Sequence, residues 1–172
     1  MGTEARQKVI TDASVLINFL VVRRLDLLAN HPTYRFVITD HVRAEVTEHY
    51  TEQVNELASS IEQGNIEETS VTTPQELQAF AELIATGRLG AGECSAIAAA
   101  TCGGLPLAID DVVASKHARR LAPRMQILTT PSLVVALIKA GTLEIDAADL
   151  IKAQWETHHA FKLKVTSFRD LL

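Results

Sequence analysis

The sequence predicts an α/β fold, a three-layer α/β/α sandwich around a short, mainly parallel sheet. Three observations predict it. Short apolar runs rich in β-branched residues alternate along the chain with segments whose apolar residues recur at helical spacing. Each run is apolar enough to be covered on both faces, as the strands of a parallel sheet are. The 172 residues show no internal repeat, low-complexity segment or interdomain linker, so residues 1–172 are expected to form one domain.

The elements follow in order. Lys8-Val-Ile-Thr11 reads as the first strand, and Val15, Leu16, Phe19, Leu20, Leu25 and Leu28 follow near helical spacing. Tyr34 to Ile38 is the second strand, and His41 to Gln63 reads as one long helix ending at Gly64. Asn65 to Val71 holds a short third strand. Thr73 and Pro74, a cap and a first-turn proline, open a helix to Gly87. After the flexible G-R-L-G-A-G, a small-residue helix runs from Glu93 to Cys102 and closes at Gly103-Gly104. Leu105 to Ile109 is a strand, Asp110-Asp111 introduces a helix from Val112 to Leu121, and Met125 to Leu128 is the last strand. A helix from Pro131 to Ala140 follows. The tail from Ile145 carries one more helix and a mixed end.

Composition narrows the function. At 47% hydrophobic and 22% charged residues the chain reads as soluble and globular rather than disordered or fibrous. Its 16 Lys and Arg against 21 Asp and Glu, a net charge of −5, argue against nucleic-acid binding through bulk charge and leave room for a local basic patch. No apolar stretch reaches the roughly 20 residues of a membrane helix. The polar start M-G-T-E-A-R-Q-K is unlike a signal peptide, so a cytoplasmic location is expected. Cys94 and Cys102 fall on one predicted helix roughly 12 Å apart, beyond disulfide reach, and read as reduced core residues.

In parallel α/β sheets ligands bind beyond the carboxyl ends of the strands. Asp12 ends the first strand and Asp110-Asp111 end another, so these acids are expected to face one crevice. Glu45 lies beside the Val42 and Val46 stripe of the helix after the second strand, and Glu93 stands in the first turn of the alanine-rich helix. Each has an ordinary reading alone. Asp12 and Asp111 can cap the helices that follow them, Glu93 can complement a helix dipole, and Glu45 can sit in water. Together, four or five carboxylates repel unless a cation joins them. Mg²⁺ or Mn²⁺, which take oxygen ligands and keep several waters, suit that set. Zinc suits it less, because no two histidines flank a glutamate at helical i, i+4 spacing. Lys116, Arg119 and Arg120, with Arg124, offer a strip for phosphates, or a solvated helix face. Arg23-Arg24 and Lys162 with Lys164 carry the same two readings.

Taken in order, I-T-D-A-S-V-L-I (10–17), V-R-A-E-V (42–46), L-G-A-G-E-C-S-A-I-A-A-A (89–100) and P-L-A-I-D-D-V-V-A-S-K-H-A-R (106–119) resemble the acidic motifs of the PIN domain. That is the fold of VapC-like toxin ribonucleases and related metal-dependent nucleases. The likeness covers nearly the whole chain, and its order and spacing carry more than any single motif. It implies that Asp12, Glu45, Glu93 and one of Asp110 or Asp111 are the catalytic, metal-binding carboxylates, with Ser14 supporting the first. It also implies an endoribonuclease acting on RNA with Mg²⁺ or Mn²⁺, an antitoxin protein as partner, and a homodimer. Leu133, Val134, Leu137 and Ile138 serve an interface or a core equally well. Asp40 stands where many relatives have proline, and is expected to cap a helix.

Two rivals stand beside the nuclease. One is a PIN-like module that binds RNA or protein without cutting, against which only the retention of all four acidic positions speaks. The other is a Rossmann-like nucleotide-binding or phosphatase domain. It lacks support, because no G-x-G-x-x-G follows the first strand and no second aspartate lies two residues beyond Asp12.

Overall fold

The structure, a computed structural model, describes residues 6–172. The reading of a polar start falls largely on residues 1–5, outside the described residues. The elements are β1 (Gln7–Thr11), α1 (Ala13–Val21), α2 (Asp26–Ala29), β2 (Tyr34–Thr39), α3 (Asp40–His49), α4 (Val54–Glu62), β3 (Glu67–Thr69) and α5 (Pro74–Ala85). There follow α6 (Ala91–Gly103), β4 (Leu107–Ala108), α7 (Val112–Leu121), β5 (Ile127–Leu128), α8 (Thr130–Lys139), α9 (Ile145–His158) and a closing 3₁₀ turn (Phe168–Leu171).

The five strands pair in the order β3-β2-β1-β4-β5, and every pairing is parallel. The expected α/β/α sandwich is present, with a sheet more uniformly parallel than "mainly" implied. Val9, Phe36, Ile38, Leu107 and Ala108 are fully buried, the pattern of strands covered on both faces. The order places β1 in the middle. The chain builds outward through β2 and β3, then returns to β1's other side with β4. The carboxyl ends of β1 and β4 therefore flank the switch point, where such sheets open a crevice.

Several boundaries differ from expectation. The helix read as His41 to Gln63 is two, α3 and α4, parted at Tyr50. No glycine or proline marks the break. It falls where the buried stripe of Val42 and Val46 gives way to one of Leu57 and Ser60. The run from Val15 to Leu28 is likewise broken, and Arg23 turns the chain with a φ of 55°. α6 starts at Ala91 rather than Glu93. Asp40 does not cap α3: the cap is Thr39, whose hydroxyl accepts from the Val42 amide, and Asp40 instead bonds the His41 amide and ring. Cys94 is buried but Cys102 is exposed, which corrects the reading of both as core. Both are free thiols. Leu133, Val134 and Leu137 are 0%, 0% and 1% exposed, so they belong to the core and not to an interface.

α9 is fastened to α1 across the whole length of the chain. The Trp155 indole N–H donates to the Asn18 carbonyl at 2.6 Å, and its ring meets Phe19 edge to face at 6.2 Å. Among the described residues no helix is long and apolar enough to cross a membrane.

Candidate active site

Asp12 leaves β1 and caps α1. Its amide donates to the Ala108 carbonyl of β4 at 2.9 Å, which sets it beside the end of that strand. Oδ2 accepts from the Ser14 amide at 2.9 Å and from the Ser14 hydroxyl at 2.6 Å. Ser14 Oγ in turn accepts from the Asp110 amide at 3.1 Å, so this one serine ties the two strand ends together. The other oxygen of Asp12, Oδ1, is buried and meets no hydrogen-bond partner among the described residues, and the residue is only 2% exposed. Burial raises the Asp12 carboxyl above its ordinary range, against the pull of the Ser14 hydrogen bonds, and the charge of Asp110 adds to the rise. A helix cap needs one oxygen. The second, desolvated and unpaired, is costly to bury.

Glu45 and Glu93 arrive from α3 and α6. The Thr39 and Ser95 hydroxyls share a 2.6 Å hydrogen bond, and Ser95 Oγ also donates to the Gly92 carbonyl at 2.8 Å. This buried link draws the start of α6 onto the start of α3. Gly92 completes the approach, since a side chain there would run into the Glu45 carboxylate. Between the two helix starts lies a cleft of about 540 Å³ lined by Glu45, Glu48 and Glu93 among others. Burial raises both carboxyls. The Asp12 charge raises Glu45 further, and the charges of Asp12, Asp111 and Glu45 do the same to Glu93. Glu93 Oε2 also accepts from the Gly90 amide at 2.9 Å.

The adjacent aspartates diverge. Asp110 is a network residue: Oδ1 accepts from the Thr130 amide at 2.8 Å, and Oδ2 accepts from the Thr130 hydroxyl at 2.6 Å and the Asn18 amide at 2.9 Å. Asp111 caps α7, with Oδ1 accepting from the Ala114 amide at 2.7 Å. The fold thus brings Asp12, Ser14, Glu45, Glu93, Asp110 and Asp111 to one edge of the sheet. Lys116, Arg119 and Arg120 are exposed on α7 and lead away from it, Arg119 standing about 12 Å along the axis from Asp111 at 1.5 Å per residue. A larger, mostly apolar cavity of about 580 Å³ opens at the opposite edge, between Gln7 and Arg124, and among the described residues no carboxylate lines it.

Asn18, Thr130 and Gly92 are the site residues that sequence reasoning missed. Asn18 had a legible signal, a lone amide amid Val15, Leu16, Ile17, Phe19 and Leu20, one turn after Ser14. Gly92 stood in the third acidic motif with no role assigned to it, and Thr130 had no signal, because what each does depends on segments far away in the chain.

A PIN domain family model matches residues 8–157. The chain belongs to the PIN domain family. Among solved structures, a PilT N-terminus domain protein from the archaeon Sulfolobus solfataricus is similar, with a TM-score of 0.50 and 15% identity over 80% of this chain and 95% of that one. Two others are VapBC2 from Rickettsia felis bound to a fragment of its promoter DNA (TM-score 0.46, 12% identity, 72% and 98% covered) and PAE2754 from Pyrobaculum aerophilum (0.49, 14%, 77% and 90%). At these identities the likeness is one of fold. A comparison with curated protein sequences finds no significant match.

Among the described residues of this PIN domain, no three His, Cys, Asp or Glu side chains converge tightly enough to enclose an ion. Asp110 is turned onto Thr130 and Asn18, and Glu93 onto Gly90. The donors present are nonetheless all carboxylate oxygens, and the unpartnered Asp12 Oδ1 stands among them. Such a set fits a hard divalent cation that is held through one or two carboxylates and keeps its waters.

A prediction arises from Gly92. Gly92→Ala should fold normally, since alanine is a better helix former by about 1 kcal/mol and the atom it meets is the movable end of Glu45. It should displace that carboxylate, and any activity of the site should drop at least tenfold while the melting temperature stays within about 3 °C of the parent. Thermal melts and activity measured side by side check this.

Proposed function

We propose that this PIN domain is a divalent-metal-dependent endoribonuclease that hydrolyses RNA phosphodiester bonds, the toxin of a toxin–antitoxin pair. The observation that carries the reading is Asp12, a buried carboxylate with one oxygen used as a helix cap and the other unpaired, at the switch-point edge that Glu45, Glu93 and Asp111 share. Mg²⁺ or Mn²⁺ bound there would supply charge stabilisation for the phosphate oxygens and lower the pKa of a bound water. Asp12 Oδ1, with one of Glu93 or Asp111 beside it, would hold the ion, and waters would complete its shell.

The chain's own residues do the positioning. Ser14 fixes Asp12 by two hydrogen bonds and locks it to the backbone of Asp110. Asn18 and Thr130 keep Asp110 from swinging, and the Thr39–Ser95 pair fixes the starts of α3 and α6 from which Glu45 and Glu93 project. Glu45, its carboxyl raised by burial and by the charge of Asp12, lines the cleft as a group that can take up a proton.

Cleavage of a structured RNA with and without Mn²⁺, beside Asp12→Asn, tests the reading. Metal-dependent cleavage lost in the variant supports it. Retention of RNA without cleavage in either protein would instead favour the non-catalytic binding module. Metal binding has its own readout: millimolar Mn²⁺ should raise the melting temperature of the parent by several degrees, since an ion bound only to the folded state stabilises it by mass action. Asp12→Asn should lose most of that rise. A melting temperature indifferent to Mn²⁺ in both proteins would sink the metal site. The antitoxin partner belongs to the same proposal and is tested by whether a co-expressed neighbouring protein suppresses cleavage.

A further inference from the structure

Beside the acidic edge a further cavity of about 300 Å³ opens between α1 and the chain leaving α9. Its floor is one face of α1, with Ser14, Ile17, Asn18 and Val21 at the i, i+3, i+4, i+7 spacing of a helical stripe. Asp110 lies at one end, and Tyr50, His159 and Phe161 form the walls. The catalytic proposal uses none of these rings.

The aromatic wall is built with some strain. Ala160 holds a φ of 55°, a left-handed conformation that disfavours any residue with a Cβ. That turn doubles the chain back so that the Phe161 amide donates to the Trp155 carbonyl at 3.2 Å and the two rings meet edge to face at 5.4 Å. Trp155 is itself tied to Asn18 of α1. Phe161 is thereby held over the stripe of α1, half-buried, while Tyr50 closes the other wall from the end of α3. Past His159 the cavity continues into a hollow of about 270 Å³ that shares Val21 and His159 and is lined beyond them by Arg23 and His158. A groove thus leads from the acids, past aromatic rings, to cationic and imidazole groups.

We propose that this cavity seats one unpaired base of a single-stranded RNA, next to the phosphate presented to the acidic edge, with the following phosphate directed toward Arg23. The proposal rests on the ribonuclease reading. Single-stranded RNA is held by stacking of splayed bases on aromatic side chains and by cations along its backbone. A volume of about 300 Å³ is at the lower end of small-ligand sites, the size of one nucleoside rather than a helix. On the floor of the seat Asn18 Nδ2 and Asp110 bond each other and Ser14 bonds Asp12 and Asp110, so these groups serve the acidic edge and the rings supply the face for a base. The seat therefore takes a base by its face and confers selection for single strands over duplex.

The test uses a short single-stranded RNA in which an abasic nucleotide is placed at each position in turn, bound to the uncleaving Asp12→Asn protein. One position should lose about tenfold in affinity when its base is removed. In Asp12→Asn with Tyr50→Leu, or with Phe161→Leu, affinity for the intact RNA should fall about tenfold and the same abasic change should then have no effect. Tyr50→Phe should restore the parent profile. Abasic profiles that are the same with and without the aromatic side chains, or no binding of single-stranded RNA at all, would overturn the seat and leave the cavity to a side chain of a protein partner. Cleavage by the parent with Mn²⁺ is scored separately. Its absence with the abasic profile intact counts against the nuclease alone, and its presence with a flat profile counts against the seat alone.

Discussion

Asp12→Asn is expected to abolish cleavage and to make the metal-free protein more stable. The loss of activity should be on the order of a thousandfold, since the charge stabilisation a bound metal supplies is worth several kcal/mol and each 1.4 kcal/mol is about tenfold. The gain in stability has a definite sign. Burial raises the Asp12 carboxyl above its ordinary value of 3.8, so the charged form is less at ease in the folded chain than in the unfolded one. At neutral pH Asp12 therefore opposes folding. As pH falls through the raised folded value the native state takes up a proton before the unfolded state does, and stability increases. Below the ordinary value both states are protonated and the contribution is constant. Glu45, Glu93 and Asp110 are shifted in the same direction, chiefly by burial, and add to the trend. Asparagine, nearly the same shape and never charged, removes the Asp12 share. Its melting temperature without metal should exceed the parent's by a few degrees at pH 7, at about 2 to 4 °C per kcal/mol, and the difference should shrink toward pH 4. Identical melting curves across this pH range, together with retained cleavage, would refute the role given to Asp12.

Asp110→Asn and Asp111→Asn are expected to fail in opposite ways. Asp110 accepts three hydrogen bonds, from the Thr130 amide, the Thr130 hydroxyl and Asn18. An amide turns its NH₂ toward one of these donors whichever way it flips, leaving a buried donor unpaired at about 1 to 3 kcal/mol. The melting temperature should fall by about 3 to 10 °C. Asp111, by contrast, caps α7 through one oxygen, and asparagine caps a helix about as well. Its stability should hold within about a degree. Its charge is one of those that bear on Glu93, so cleavage should suffer as it does in Asp12→Asn. Thermal melts with single-turnover cleavage separate the two. A stable, inactive Asp110→Asn with an unstable, active Asp111→Asn would reverse the assignment.

The two aspartates also mark the limit of what sequence reading reached. That both follow a strand and precede a helix was plain from the Leu-Pro-Leu-Ala-Ile run before them and the helical spacing after. Which one the fold fastens was not. The fastening groups are Asn18, 92 residues upstream, and Thr130, 20 residues downstream, and no local pattern announces such partners. The same holds for Gly92, whose missing side chain matters only because α6 lies against Glu45. Asp40 is a smaller case, since an acid beside a helix start invites the reading of a cap that Thr39 in fact supplies.

By itself, then, the sequence determined the alternation of strand and helix, the burial of strands on both faces, and the gathering of acids at the carboxyl ends. Those follow from short-range properties: β-branched runs, helical spacing, and the rule that parallel strands present their ends together. Only the tertiary structure decided that α3 and α4 part at Tyr50, that Leu133, Val134 and Leu137 are core, and that Asp12 keeps one oxygen unpaired. The physical reason is common to all three. Burial and hydrogen-bond partnership are properties of pairs of segments, and a segment meets its partner only when the chain has folded.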